Sequence, residues 1–247
     1  MLETISMKTN KLWVSGLLCL LFTVLWLILM ILSVSMTGPV NSFEQAVSSV
    51  VDTGILFQLS YINAVFVTIT TTIFFVFLYN YCNSLDKDWS LIGFIFIPVY
   101  CILNLIVYFS QITVIPRLIA LMNEPKYSEA YQVILGQFIQ GWSGSAVSVF
   151  NQLAYAILGI PSIIFGVLLI KSNRLSTLGG RLLTLNGISC IIGVIGTVAN
   201  NRVLAIGSVV GGALFLFALI ALVWSCANGT DKSISKGDKE IRLHRDK

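Results

Sequence analysis

Three uncharged polar side chains, Asn104, Tyr108 and Gln111, interrupt an apolar stretch at a spacing of four and then three residues. This spacing places all three on one face of a helix. Carboxamide and phenol groups donate and accept hydrogen bonds without carrying charge, and they are costly in hydrocarbon unless a partner satisfies them. The stripe therefore predicts either hydrogen bonds between helices or recognition of a neutral polar group.

The apolar runs lack the charged and histidine side chains on which acid–base catalysis, most metal sites and the activation of a nucleophile depend. They contain no Asp, Glu, Lys, Arg or His, and the only histidine, His244, lies near the C-terminus. Proton-coupled transport and intramembrane metal sites need such residues, and a serine nucleophile would have no base. The chain also has no P-loop motif. We therefore expect a protein that is not an enzyme and that has neither a metal site nor a cofactor.

The composition is that of a membrane protein. The 247 residues are 56% hydrophobic and 11% charged, with a mean hydropathy of +0.89, whereas soluble domains carry about 25% charged residues. Six runs approach or exceed the roughly 20 residues that cross a bilayer as a helix. They are residues 12–35, 55–79, 90–112, 147–170, 182–200 and 204–226. The first is too long for a signal-peptide core, so we expect an uncleaved anchor.

Lysine and arginine distribution predicts the orientation. Of the 15 basic residues, twelve lie in the N-terminal segment, the second and fourth connections and the C-terminal tail. The other three, Arg117, Lys126 and Arg202, lie in connections on the opposite side. Because basic residues concentrate on the cytoplasmic side, we expect both termini to be cytoplasmic. The polar tail, residues 227–247, is expected to be disordered, and residues 1–226 to form the transmembrane domain.

Two outer connections have the pattern of short amphipathic helices. In residues 42–51, Ser42 and Gln45 have the spacing of a capping box, and apolar residues follow at helical period. In residues 128–142, Tyr131, Ile134 and Phe138 recur in the same way. We predict two helices at the outer interface; the alternative is that these segments extend the neighbouring spans.

Small residues mark the final pair of spans. Gly207 and Gly211 form a GxxxG motif, and Gly193 lies in a small-residue stripe of the preceding span. Such residues let helices approach closely within a membrane. We predict packing within this hairpin, with homodimerisation as the alternative.

Most of the polar intramembrane side chains fall in the outer half of the bilayer once the topology is assigned. The candidate ligand-binding residues are Gln58, Asn63, Asn104, Tyr108, Gln111, Asn151 and Tyr155. They could hydrogen-bond helix to helix, or they could line a neutral cavity for a lipid headgroup or a small amphiphile. The sequence leaves both interpretations open.

Residues 166–196, GVLLIKSNRLSTLGGRLLTLNGISCIIGVIG, contain a glycine-bearing span, a short basic loop and a glycine-rich span. This pattern resembles bacterial six-helix membrane proteins of a domain-of-unknown-function family (number 4386), and the opening KLWVSGLLCLLFTVLW is similar to that family's first helix. The resemblance implies a bacterial plasma-membrane location. It implies no activity and no site residues.

Together these patterns predict an all-α bundle of six transmembrane helices under two outer amphipathic helices. The expected function is binding of a membrane lipid, a neutral amphiphile or a membrane partner, without catalysis and without nucleic acid. The alternative is a permease-type subunit of a transporter or immunity complex that moves a neutral or amphiphilic compound.

Overall fold

The structure is a computed structural model that describes residues 2–38, 40–122, 128–142, 144–172 and 175–245. It is all-α, with no strand among these residues. The helices are α1 Leu2–Thr37, α2 Phe43–Thr53, α3 Ile55–Cys82, α4 Lys87–Thr113, α5 Ile115–Met122, α6 Ser128–Phe138, α7 Ala146–Ser172, α8 Thr177–Val198, α9 Arg202–Ala205 and α10 Gly207–Arg245.

The six predicted spans are confirmed as helices long and apolar enough to cross a membrane. They are Thr9–Thr37, Ile55–Cys82, Lys87–Met122, Ala146–Ser172, Thr177–Val198 and Arg202–Asn228. Each run folds as one helical span because a helix pairs its own backbone N–H and C=O groups, for which hydrocarbon offers no hydrogen-bond partner. The third span combines α4 and α5.

The spans form a closed ring in chain order. Contacts join α1 to α3, α3 to α4, α4 to α7, α7 to α8 and α8 to α10, and α10 returns to α1. Each helix therefore has a face toward the interior of the ring. The chain contributes side chains to this interior from all six spans.

At one end of the ring, α2, α5 and α6 pack together as a cap. Their buried contacts include Ala46 and Val50 of α2, Leu118 of α5 and Leu135 of α6. The two predicted amphipathic helices are confirmed as α2 and α6. Gly54, at φ 48°, divides α2 from α3.

The start of α2 follows the predicted capping pattern. Ser42 accepts a hydrogen bond from the Gln45 N–H at 3.3 Å, and the Gln45 side chain in turn accepts from the Asn41 N–H at 2.7 Å. The backbone N–H of Glu44 and the Ser42 hydroxyl lower the pKa of the Glu44 carboxyl. The first turn of α2 is thus stabilised by its own side chains.

The interior of the ring differs between its two halves. Away from the cap, Phe74 and Phe75 of α3 meet Phe165 of α7 and Phe215 of α10, with centroid distances of 5.6–6.4 Å between neighbouring rings. Toward the cap, tyrosines and carboxamides replace the phenylalanines. The polar side chains singled out by the sequence lie mainly in this cap-side half.

Beyond the sixth span, α10 continues as a helix to Arg245. The disorder that the sequence predicts for residues 227–247 is not tested by this helix boundary. The division into a membrane domain and a tail stays a prediction.

Candidate binding site

Four tyrosines from three helices meet in the cap-side half of the ring; we call them, together with Asn104, the tyrosine–amide cluster. The hydroxyls of Tyr108 on α4 and Tyr155 on α7 are hydrogen-bonded at 2.8 Å. The Tyr61 ring of α3 lies 6.1 Å from that of Tyr108, and the Tyr100 ring lies 6.1 Å from that of Tyr155. Tyr100 and Tyr108 are buried, while Tyr61 and Tyr155 are half-buried at the edge of the cluster.

Asn104 of α4 has a side chain with 0% exposure. Its carboxamide lies beside the hydroxyls of Tyr100 and Tyr155. Neither its Oδ1 nor its Nδ2 reaches hydrogen-bonding geometry with any partner in the described residues. A buried polar group without a partner costs about 1–3 kcal/mol, and the hydroxyls of Tyr100 and Tyr155 are the neighbouring protein groups that could offset this cost.

Gln111, the last residue of the polar stripe, has a structural role. Its Nε2 donates to the Phe138 carbonyl at 2.8 Å, and its Oε1 accepts from the Gln140 N–H at 3.0 Å. Both partners belong to the end of α6 and the turn after it. Gln111 therefore ties the cap to α4 and satisfies two backbone groups at once.

Asn63 also joins two helices. Its Nδ2 donates to the Phe22 carbonyl of α1 at 3.0 Å, while its buried Oδ1 finds no hydrogen-bond partner in the part of the chain that the structure describes. Asn63 is thus half satisfied, and it fits the helix-joining interpretation better than the cavity.

The last two candidate residues lie outside the tyrosine–amide cluster. Asn151 of α7 is half-buried, and its Oδ1 accepts no hydrogen bond from any described residue. Gln58 lies near the start of α3 with an exposed side chain. The structure thus brings Asn104, Tyr108 and Tyr155 together and leaves Gln58 on the surface.

Sequence reasoning missed Tyr61 and Tyr100. Tyr100 precedes Asn104 by four residues, so the helical spacing that identified the stripe also includes it. Tyr61 has no such signal on α3, because its place beside Tyr108 depends on how α3 packs against α4.

The glycines predicted to pack helices lie at the contact of α8 and α10. A Cβ added to Gly207 would lie 2.6 Å from the Ser189 carbonyl oxygen, and one added to Gly211 would lie 2.5 Å from the Cys190 Sγ. A Cβ on Gly193 would overlap Ser208. These glycines face a neighbouring helix within the chain, in the hairpin where the sequence predicts close packing; the alternative of a homodimer stays a prediction.

The fold and the cluster together define a class, the multi-pass integral membrane proteins of the α-helical type. No family model, no curated protein and no solved structure matches the chain. The resemblance to the six-helix family stays a prediction.

Proposed function

We propose that this protein is a non-enzymatic receptor of a bacterial plasma membrane that binds the neutral polar group of a lipid or amphiphile at Asn104. The observation that carries the proposal is the fully buried carboxamide, which lies beside tyrosines of α4 and α7 and has no partner in hydrogen-bonding geometry among the described residues. A ligand hydroxyl or amide would satisfy both of its polar atoms.

The surroundings of Asn104 support a neutral ligand rather than an ion. The candidate spans contain no charged side chain at the depth of the cluster, and an ion there would have no counter-charge. Aromatic rings with hydroxyl groups offer apolar contact and hydrogen bonds together. Tyr61 and Tyr155 are half-buried, so an amphiphile that reached the cluster would meet these two side chains before the buried Tyr100 and Tyr108.

The proposed location rests on charge and on resemblance. Twelve of the 15 basic residues fall on the side of the membrane opposite the cap, which supports cytoplasmic termini and an outward-facing cap. The bacterial plasma membrane is implied by the six-helix resemblance. The ligand would then enter from the outer leaflet.

Native mass spectrometry of the gently extracted protein tests the proposal. We expect the wild type to carry a defined adduct and the folded Asn104→Leu variant to lose it. Gln111→Leu is the matched control, because Gln111 bonds the cap and not the cluster, so this variant should keep the adduct despite lower stability.

A wild type without an adduct, together with an Asn104→Leu variant of raised melting temperature, would show that Asn104 is only a costly buried amide. Co-purification of an ATPase would instead favour the permease-type subunit.

A further inference from the structure

A second candidate site lies at the end of the bundle away from the cap. A cavity of about 590 Å³ lies between the start of α4 and the last turns of α7. Its lining includes Asp86 and Trp89 on one side and Ile163, Val167 and Lys171 of α7 on the other. The volume lies within the roughly 300–1,000 Å³ typical of small-molecule sites. No lining residue belongs to the tyrosine–amide cluster, so the two sites are separate.

The α7 wall presents apolar groups followed by a cation. Ile163, Val167 and Lys171 are spaced by four residues and share one helix face. At a rise of 1.5 Å per residue, the stripe is about 12 Å long. Lys171 lies in the last turn of α7 with an exposed side chain. An acyl chain followed by a phosphate presents matching groups in the same order.

The opposite wall supplies an anion. Asp86 is the N-cap residue of α4, where its Oδ1 accepts a hydrogen bond from the Trp89 N–H at 3.1 Å. This N-cap bond does not use the second carboxylate oxygen of Asp86. The adjacent Trp89 side chain is 56% exposed, in keeping with the preference of tryptophan for the membrane–water interface. The cavity is thus lined by one carboxylate and one ammonium group.

A zwitterion complements this pair of charges better than an anion does. The phosphate of an anionic headgroup would pair with Lys171 but would lie near the Asp86 carboxylate, which repels it. A trimethylated ammonium has no N–H to donate to Asp86. A primary ammonium both neutralises the carboxylate and donates hydrogen bonds to it.

We propose that this cavity binds phosphatidylethanolamine, with its phosphate at Lys171, its ammonium at Asp86 and an acyl chain along Ile163 and Val167. The proposal is independent of ligand binding at Asn104.

The test measures lipid retention by the full-length protein in detergent. Phosphatidylethanolamine, phosphatidylcholine and phosphatidylglycerol with identical acyl chains are offered in equal amounts, and native mass spectrometry counts the lipid that stays bound. We expect phosphatidylethanolamine to be preferred by about tenfold, the effect of one hydrogen bond to a charged group.

Three variants test which charged side chain produces the preference for phosphatidylethanolamine. Asp86→Asn should abolish the preference over phosphatidylcholine and strengthen phosphatidylglycerol binding, while the helix cap survives because Asn caps as well as Asp. Lys171→Gln should lower the retention of all three lipids. Asp88→Asn is the matched control: Asp88 is an exposed acidic residue in the same helical turn that does not line the cavity, so retention should match the wild type.

Equal retention of the three lipids by the wild type would overturn the proposal, as would a preference that survives in Asp86→Asn. Stronger retention of phosphatidylglycerol than of phosphatidylethanolamine by the wild type would overturn it too, and would indicate a site for anionic headgroups.

Discussion

At the scale of single residues, two buried asparagines of the spans show why polarity alone does not define a site. The Nδ2 of Asn186 on α8 donates to the Gly211 carbonyl of α10 at 2.8 Å, and so holds two helices together. The carboxamide of Asn104 is buried to a similar degree, and among the described residues it has no partner in hydrogen-bonding geometry. Burial costs both side chains their hydration, but only Asn186 recovers part of that cost from the protein.

Gln111, like Asn186, hydrogen-bonds to the backbone of another element. Its removal should therefore destabilise the protein. Gln111→Leu should lower the free energy of unfolding by about 1–3 kcal/mol, because the Phe138 carbonyl and the Gln140 N–H lose their partner. Gln58→Leu removes the same carboxamide from an exposed position and should change stability by less than about 0.5 kcal/mol.

Thermal unfolding of the two variants, with amide hydrogen exchange at residues 138–142, measures the effect. Faster exchange there in Gln111→Leu alone is expected. Equal loss of stability in both variants would mean that Gln111 does not anchor the cap.

At the scale of elements, glycines set how closely α7 and α8 approach. A Cβ added to Gly159 would lie 2.7 Å from the Gly187 carbonyl oxygen, and one added to Gly180 would lie 2.8 Å from the Gly166 carbonyl oxygen. The two pairs lie seven residues apart on both helices, that is, two turns. The helices therefore meet backbone to backbone along this length, where van der Waals contact replaces the hydrophobic effect.

Gly187→Ala should separate α7 from α8 and destabilise the protein by about 1–3 kcal/mol, the usual cost of overpacking, because the new Cβ would overlap the Gly159 carbonyl. Gly212→Ala is the matched change: no described neighbour outside its own helix lies within 4 Å of a Cβ there, and alanine favours the helix by up to about 1 kcal/mol. Melting temperatures of the two variants should move in opposite directions. A fall of similar size in both would show that the close α7–α8 contact does not exist.

The sequence predicted the elements better than their contacts. The six spans and the capped start of α2 follow from local patterns, namely apolar length and a Ser–Gln spacing. The helix α5 was missed because Pro116 indicates a break, yet proline is tolerated in the first turn of a helix. The bond from Gln111 to Phe138 crosses 27 residues, and no local pattern contains it.

At the scale of the whole molecule, the contact between α1 and α10 closes the ring. The first and last spans are distant in sequence, yet Leu12 and Cys19 share a buried cluster with Leu219 and Leu222. Without this contact, the phenylalanines of the interior would face lipid on one side. The closed ring therefore predicts that one chain forms the complete core.

A pair of engineered cysteines can test this closure. A Cβ on Gly16 would lie 2.7 Å from the Cγ2 of Val223, so Gly16→Cys with Val223→Cys, in a chain whose native cysteines are replaced by serine, should crosslink on oxidation. The product should keep the mass of one chain, and peptide mass spectrometry should identify the linked residues. Gly16→Cys with Gly212→Cys is the control and should remain reduced, since no other described helix packs within 4 Å of a Cβ at Gly212. A linked dimer from the first pair would mean that α10 closes the ring of a second copy, and the core would then be shared between chains.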